Sequence, residues 1–260
     1  MRNDIQPHLL VGSGDIAPYV LLPGDPGRVE RIAQKLDSFK NIASNREYKS
    51  VTGEYSGSPV SVVSTGIGGP STAIAVEELA VVGVKVIIRV GSCGGWLEEM
   101  EIGDLVVPLG IVRNEGTSVT YAPPNWPAVP DFEVYSALMD SARKANYGVH
   151  TGISICRDNF YVYSGTTDDY VAQWKKYRVI ASEMEGATVL TVGRLRGLKA
   201  GCVFAVVNRT SDRDLEKDQG VREYAIQASS GSKGEAITGE ERAILTALSA
   251  VRKLHSGMYR

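Results

Sequence analysis

Runs rich in valine and isoleucine recur along the chain at residues 19–22, 60–63, 84–90, 105–109, 149–155 and 202–207. Each is short, nearly continuous in apolar residues and flanked by turn-formers or charge, as expected of strands covered on both faces. Between them the apolar positions take up helical spacing. Residues 26–36 and 70–82 each open with proline at a first turn, and 132–147 and 185–195 follow. The last helix, 238–254, starts with Thr238 three residues ahead of Glu241, the spacing of a capping box. Strands alternating with helices predict an α/β fold: a three-layer α/β/α sandwich around a central mixed sheet. The stretch 211–234 carries clustered charges and then Ser229, Ser230, Gly231, Ser232 and Gly234, and reads as a loop.

Length and charge narrow the picture. The 260 residues show no internal repeat and no linker, so a single domain over 1–260 is expected. A formal net charge of -2 gives no general attraction for nucleic acid or an anionic membrane, so any phosphate site must be built locally. No apolar stretch of signal-peptide or membrane-span length is seen, so a cytoplasmic protein is expected. Cys93, Cys156 and Cys202 are odd in number and far apart without a C-x-x-C spacing, and read as buried thiols. The histidines, His8, His150 and His255, form no H-E-x-x-H, so neither a metal site nor a cofactor is expected.

Four segments carry chemistry. Leu21-Leu22-Pro23-Gly24-Asp25-Pro26-Gly27-Arg28 runs from strand through a tight turn into a helix, where backbone N–H groups, a helix N-terminus and a guanidinium suit an anion, though the same residues are also good turn chemistry. Ile87-Ile88-Arg89-Val90-Gly91-Ser92-Cys93-Gly94-Gly95 buries an arginine near the end of an apolar strand, a placement costing several kcal/mol unless an anion or carboxylate answers it. Ser92 and its glycines read as a turn that hugs a ligand. Ser64-Thr65-Gly66-Ile67-Gly68-Gly69-Pro70-Ser71-Thr72 is again strand, glycine turn and helix start, but Ser71 replaces the last glycine of a dinucleotide fingerprint, which disfavours a dehydrogenase. In Ala181-Ser182-Glu183-Met184-Glu185-Gly186-Ala187 two acids flank a methionine at a helix mouth, either as helix-terminal charge or as a grip on vicinal hydroxyls.

With Asn45-Arg46-Glu47-Tyr48 and Val207-Asn208-Arg209-Thr210, these segments resemble, in the same order, the nucleoside phosphorylase-I family, which includes uridine phosphorylases and the hexameric purine nucleoside phosphorylases. The resemblance implies phosphorolysis: inorganic phosphate as co-substrate splits a nucleoside into free base and ribose 1-phosphate. It matches Gly24, Arg28, Arg89 and Ser92 to phosphate ligands, and Arg46 to an arginine that a neighbouring subunit lends. Met184 and Glu185 match the ribose-holding pair, and His8 a histidine lent to the ribose. Cys93, Gly94, Phe160 and Arg209 fall at the base, and Arg89, Glu185 and Arg209 form the catalytic set. A homo-oligomer built from dimers, a hexamer, with shared active sites follows from the same matches. Uridine is the favoured substrate, because Asn208-Arg209-Thr210 is most like the uridine enzymes. A purine nucleoside is the alternative, because Val162-Tyr163-Ser164-Gly165-Thr166 lacks the usual uracil-gripping glutamine and arginine and Asp212 offers an acid. A non-catalytic nucleoside-binding relative would be expected to lose Glu185 or an arginine, and neither is missing.

Overall fold

The computed structural model describes residues 4–161, 167–209, 219–230 and 234–259. In chain order the elements are β1 (Tyr19–Leu22), α1 (Pro26–Ala33), β2 (Ser38–Asn45), β3 (Tyr48–Tyr55), β4 (Ser58–Val63), α2 (Gly69–Val81) and β5 (Val86–Gly95). There follow β6 (Leu105–Val106), β7 (Gly110–Asn114), α3 (Ser118–Tyr121), α4 (Phe132–Lys144), β8 (Val149–His150), β9 (Ile153–Arg157), α5 (Thr167–Lys176) and β10 (Val179–Glu183). The chain closes with α6 (Gly186–Leu195), β11 (Lys199–Arg209), α7 (Gln219–Ser230) and α8 (Glu235–His255).

The strands join into one mixed sheet in the order β2-β3-β4-β1-β5-β10-β9-β7, with β11 on β5 and the short β6 and β8 beyond it. Side chains alternate across it. Val20 and Leu22 enter a buried layer with Ala73, Val76 and Leu79 of α2 and Ala187 and Leu190 of α6. Leu21, between them, enters the opposite layer with Val29 and Ile32 of α1, Leu138 of α4 and Leu248 of α8. Burying each such side chain stabilises the fold by about 1.5–3 kcal/mol, so the period-two pattern of the strands fixes both helix layers at once. The expected three-layer sandwich is present.

β5 decides where a site can form. Along one edge β11 pairs with it in parallel from Val86 to Gly95, with an irregularity between Val206 and Asn208. The other edge is shared: β1 pairs with residues 86–89, and β10 meets only Gly94 and Gly95. Between those partners Val90, Gly91, Ser92 and Cys93 carry no strand on that edge among the described residues. Such a parting of strands at their carboxyl ends is where open α/β sheets make room for ligands.

Several local expectations are corrected. The Ser92 segment is not a turn, because β5 stays extended to Gly95 with β11 beside it. The run at 149–155 is two strands, β8 paired with β6 and β9 paired with β7 and β10, since the chain changes partners at Thr151 and Gly152. Within 105–109 only Leu105 and Val106 form a strand. Thr238 lies inside α8, whose cap is Gly234, and its hydroxyl donates back to the Gly234 carbonyl at 3.0 Å. Most of the expected loop at 211–234 that is described is helical, as α7. The three cysteines are buried and unpaired, and among the described residues no helix is long and apolar enough to cross a membrane.

Candidate active site

The parted strands open into a cavity of about 1120 Å³, walled by the β1–α1 turn, the loop before α2, the end of β5, the β10–α6 junction, and one face of α7. At one end lies the β1–α1 turn. Asp25 caps α1 by accepting from the Gly27 N–H at 2.8 Å, and this turns Gly24 inward. A methyl group on Gly24 would press on the Gly66 carbonyl at 3.1 Å and reach the Arg89 Nη1 at 3.9 Å, so the glycine leaves room beside that guanidinium.

Arg28 leaves the first turn of α1 and is almost fully buried. Its Nη1 donates to the Val90 carbonyl at 2.8 Å, its Nε to Glu240 at 2.9 Å, and its Nη2 to the Tyr224 hydroxyl. Tyr224 in turn donates to Glu240 at 2.5 Å, and Arg31 reaches the same carboxylate at 2.6 Å. Burial alone would raise the Glu240 pKa, but Arg28, Arg31 and the Tyr224 hydroxyl outweigh it and hold the carboxyl down to about 2. Burial pushes the Tyr224 hydroxyl up to about 12, so it stays a donor.

Arg89 lies deeper. Its Nε donates to Glu183 at 3.2 Å and its Nη2 to Glu185. Burial opposes its charge, but Glu185 and Glu183 more than offset this and keep its pKa above the ordinary value. Its Nη1 is buried and has no hydrogen-bond partner. Leaving one charged donor unanswered costs on the order of 1–3 kcal/mol, and this one faces the hollow beside Gly24.

The two acids of the β10–α6 junction divide the roles that the sequence left open. Glu183 is the helix-terminal charge: it accepts from the Glu185 N–H at 2.9 Å and from the Gly186 N–H at 2.8 Å. Burial drives its pKa up, Arg89 pulls it down and Glu185 adds to the rise. Glu185 occupies the cap position without capping the helix. Its carboxylate instead turns to Arg89 and to the Gly68 N–H, 2.6 Å away, which the φ of 88° at Gly68 presents. Met184 stands beside it on the wall.

Of the residues singled out by sequence, Gly24, Arg28, Arg89, Ser92, Cys93, Gly94, Phe160, Met184 and Glu185 all line this one cavity. Burial pushes the Cys93 thiol well up, so it is an apolar wall. His8 and Arg46 lie outside their own chain's cavity. The His8 Nδ1 is 2.6 Å from Glu78, and Glu78 also accepts from the His8 and Leu9 N–H groups, while the imidazole stays partly exposed. Arg46 is exposed at the β2–β3 turn with φ 53°. Arg209, expected at the base, does not line this cavity: Val207 and Asn208, at the irregularity of β11, do, while the Arg209 Nη2 donates to the Glu98 carbonyl at 2.6 Å. Asp212, Thr210 and the segment 162–166 lie outside the described residues. Sequence reasoning gave no role to Glu240, Tyr224, Trp96, Asn208 or Arg157. Only Arg157, a charge at the end of an apolar strand like Arg89, left a signal that could have found it.

The chain is similar to known proteins in sequence and in fold. Residues 18–232 match the phosphorylase superfamily, and the chain belongs to it. It is 43% identical over 251 residues to a uridine phosphorylase of Thermococcus kodakarensis, covering 93% of this chain and 90% of that one. It is 45% identical over 201 residues to a guanosine phosphorylase of Halorubrum lacusprofundi, covering 77% and 82%. Its fold superposes on a purine nucleoside phosphorylase from Toxoplasma gondii with a TM-score of 0.84 at 30% identity, covering 99% of each chain.

Proposed function

We propose that the protein is a nucleoside phosphorylase, a pentosyltransferase that moves ribose from a nucleobase to inorganic phosphate in nucleoside catabolism and salvage. The observation that carries this reading is the Arg89 guanidinium. Glu183 and Glu185 take two of its nitrogens, and Nη1 is left buried, unpartnered and beside the hollow at Gly24. Phosphate, carrying roughly -1.5 charge at neutral pH, answers that donor, with Ser92 and the Arg28 side of the cavity around it. Glu185, fixed by Gly68 and Arg89, accepts from the ribose 2′ and 3′ hydroxyls. As the glycosidic bond breaks, the sugar gains oxocarbenium character and the phosphate below C1′ stabilises it and forms the new bond. The charge comes from arginines, so the reaction calls for phosphate as co-substrate and for no cofactor.

Uridine is the favoured nucleoside, with inosine or guanosine the alternative that the guanosine phosphorylase relative supports. His8 and Arg46 serve a neighbouring subunit's cavity, which makes the enzyme a homo-oligomer assembled from dimers, as a hexamer. A non-glycine residue at φ 53° costs about 1 kcal/mol, and a turn that holds Arg46 there fits a functional placement. Unpaired thiols fit a cytoplasmic site of action. The test is release of free base from uridine, thymidine, inosine, guanosine and methylthioadenosine, each with and without phosphate. Phosphate-dependent release, led by uridine, is expected; release from inosine or guanosine alone would move the choice to a purine.

A further inference from the structure

Arg157 is the third buried arginine of the cavity, and the chemistry of phosphate and ribose leaves it unused. It ends β9 at 8% exposure. Its Nη1 is fully enclosed without a hydrogen-bond partner, and no carboxylate pairs with it among the described residues. Its one built contact is a ring: the guanidinium carbon lies 5.7 Å from the centre of Tyr170, whose hydroxyl accepts from Asn114 at 2.8 Å. Burial lowers its pKa, and only Tyr170 pulls the other way. Arg28 and Arg89, by contrast, have carboxylates to answer them. Those two also lie close enough to disfavour each other's charge, whereas Arg157 stands apart on the wall that carries Phe160.

A buried guanidinium without a carboxylate calls for an acceptor from what the cavity binds, because it has donors only. We propose that Arg157 determines which base the enzyme accepts, its guanidinium donating to a carbonyl oxygen of an oxo-substituted base such as uracil or hypoxanthine. This rests on the phosphorylase reading and names the base-recognition group within it. An amino group at that place, as in cytosine or adenine, is itself a donor and leaves the guanidinium unanswered. Sites built to hydrogen-bond a substrate reject analogues lacking the partner by large factors, about 10²-fold or more. The contact also strengthens in the transition state, when negative charge gathers on the leaving base's oxygens.

The test compares wild type with Arg157→Met, which keeps length and apolar packing over Tyr170, and Arg157→Lys, which keeps charge. Rates at saturating phosphate are measured for uridine against cytidine and inosine against adenosine, with binding of the four free bases by calorimetry. The expected result for Arg157→Met is a fall of at least tenfold in kcat/KM for the preferred oxo nucleoside, an oxo-to-amino ratio moving toward one, and an unchanged phosphate KM. Arg157→Lys should keep part of the ratio, and it carries the test if the Met variant does not fold. An unchanged ratio in both variants, or an equal loss on oxo and amino substrates, would overturn the assignment. A wild type that turns over none of the four would remove the phosphorylase reading, while the calorimetric preference for uracil and hypoxanthine would still decide for or against Arg157.

Discussion

Glu240 shows how much of this site is assembled by single residues far apart in sequence. It sits on α8, 212 positions from Arg28, yet it takes the Arg28 Nε, the Arg31 Nε and the Tyr224 hydroxyl. Its carboxyl falls from an ordinary 4.5 to about 2 in the folded chain. A lowered folded-state pKa means that ionised Glu240 favours folding, by about 3 kcal/mol at neutral pH. That contribution is complete above about pH 4.5 and is lost as pH falls toward 2. Glu240→Gln should therefore lower unfolding free energy by about 3 kcal/mol at pH 7, and the gap to wild type should close by pH 2; urea unfolding across that range measures both. A gap that stays constant with pH would mean that the amide disturbs packing instead of removing charge. No sequence reading could have found this group, because its partners come from α1 and α7. Gly24, Arg89 and Glu185 were legible for the opposite reason: each stands in a short segment whose neighbours already build the local geometry. Arg209 stands apart from its motif: Val207 and Asn208 line the cavity where β11 is irregular, and the arginine donates to the Glu98 carbonyl instead, a local break in the strand that no residue pattern announces.

At the scale of elements, the apolar strands and proline-started helices were readable because burial on both faces leaves a plain pattern. The β2–β3 hairpin was not, since β2 is largely exposed and its sequence, Ser38 to Asn45, carries no apolar run. Hydropathy also cannot mark where a chain changes partners, as between β8 and β9. Helix α7 was hidden by the Ser-Gly stretch at its end, yet it forms part of the cavity wall through Tyr224, Ala225 and Ala228. Tyr224 and Ala228 are four residues apart and share a helix face, so Ala228 stands one turn from the Tyr224 contact with Arg28. A negative charge introduced there should repel phosphate by roughly 1–2 kcal/mol at intermediate dielectric. Ala228→Glu is expected to raise the phosphate KM about tenfold, with Ala228→Gln close to wild type. Equal effects from the two substitutions would show a steric cause and separate α7 from the anion end.

For the whole molecule, the proposed assembly rests on His8 and Arg46, the two expected ligands that the chain keeps out of its own cavity. His8 is anchored through Glu78 of α2, and Arg46 stands exposed on the hairpin turn. If subunits exchange these residues, chains inactivated by Arg46→Ala and by Glu185→Ala should rescue each other when mixed after dissociation. In a mixed dimer one cavity carries both defects and the other carries neither, so activity should return to a measurable fraction of wild type. A fully active monomer, or no rescue in verified mixed oligomers, would rule out shared sites.

In the proposed reaction phosphate itself attacks the sugar in a site centred on Arg89. It is tested most directly by incubating the protein with uridine and phosphate labelled with heavy oxygen, and weighing the sugar product. The expected product is ribose 1-phosphate that retains every labelled oxygen, formed one for one with free base, with no base release when phosphate is withheld. Free ribose, or base release undiminished in phosphate-free buffer, would contradict it.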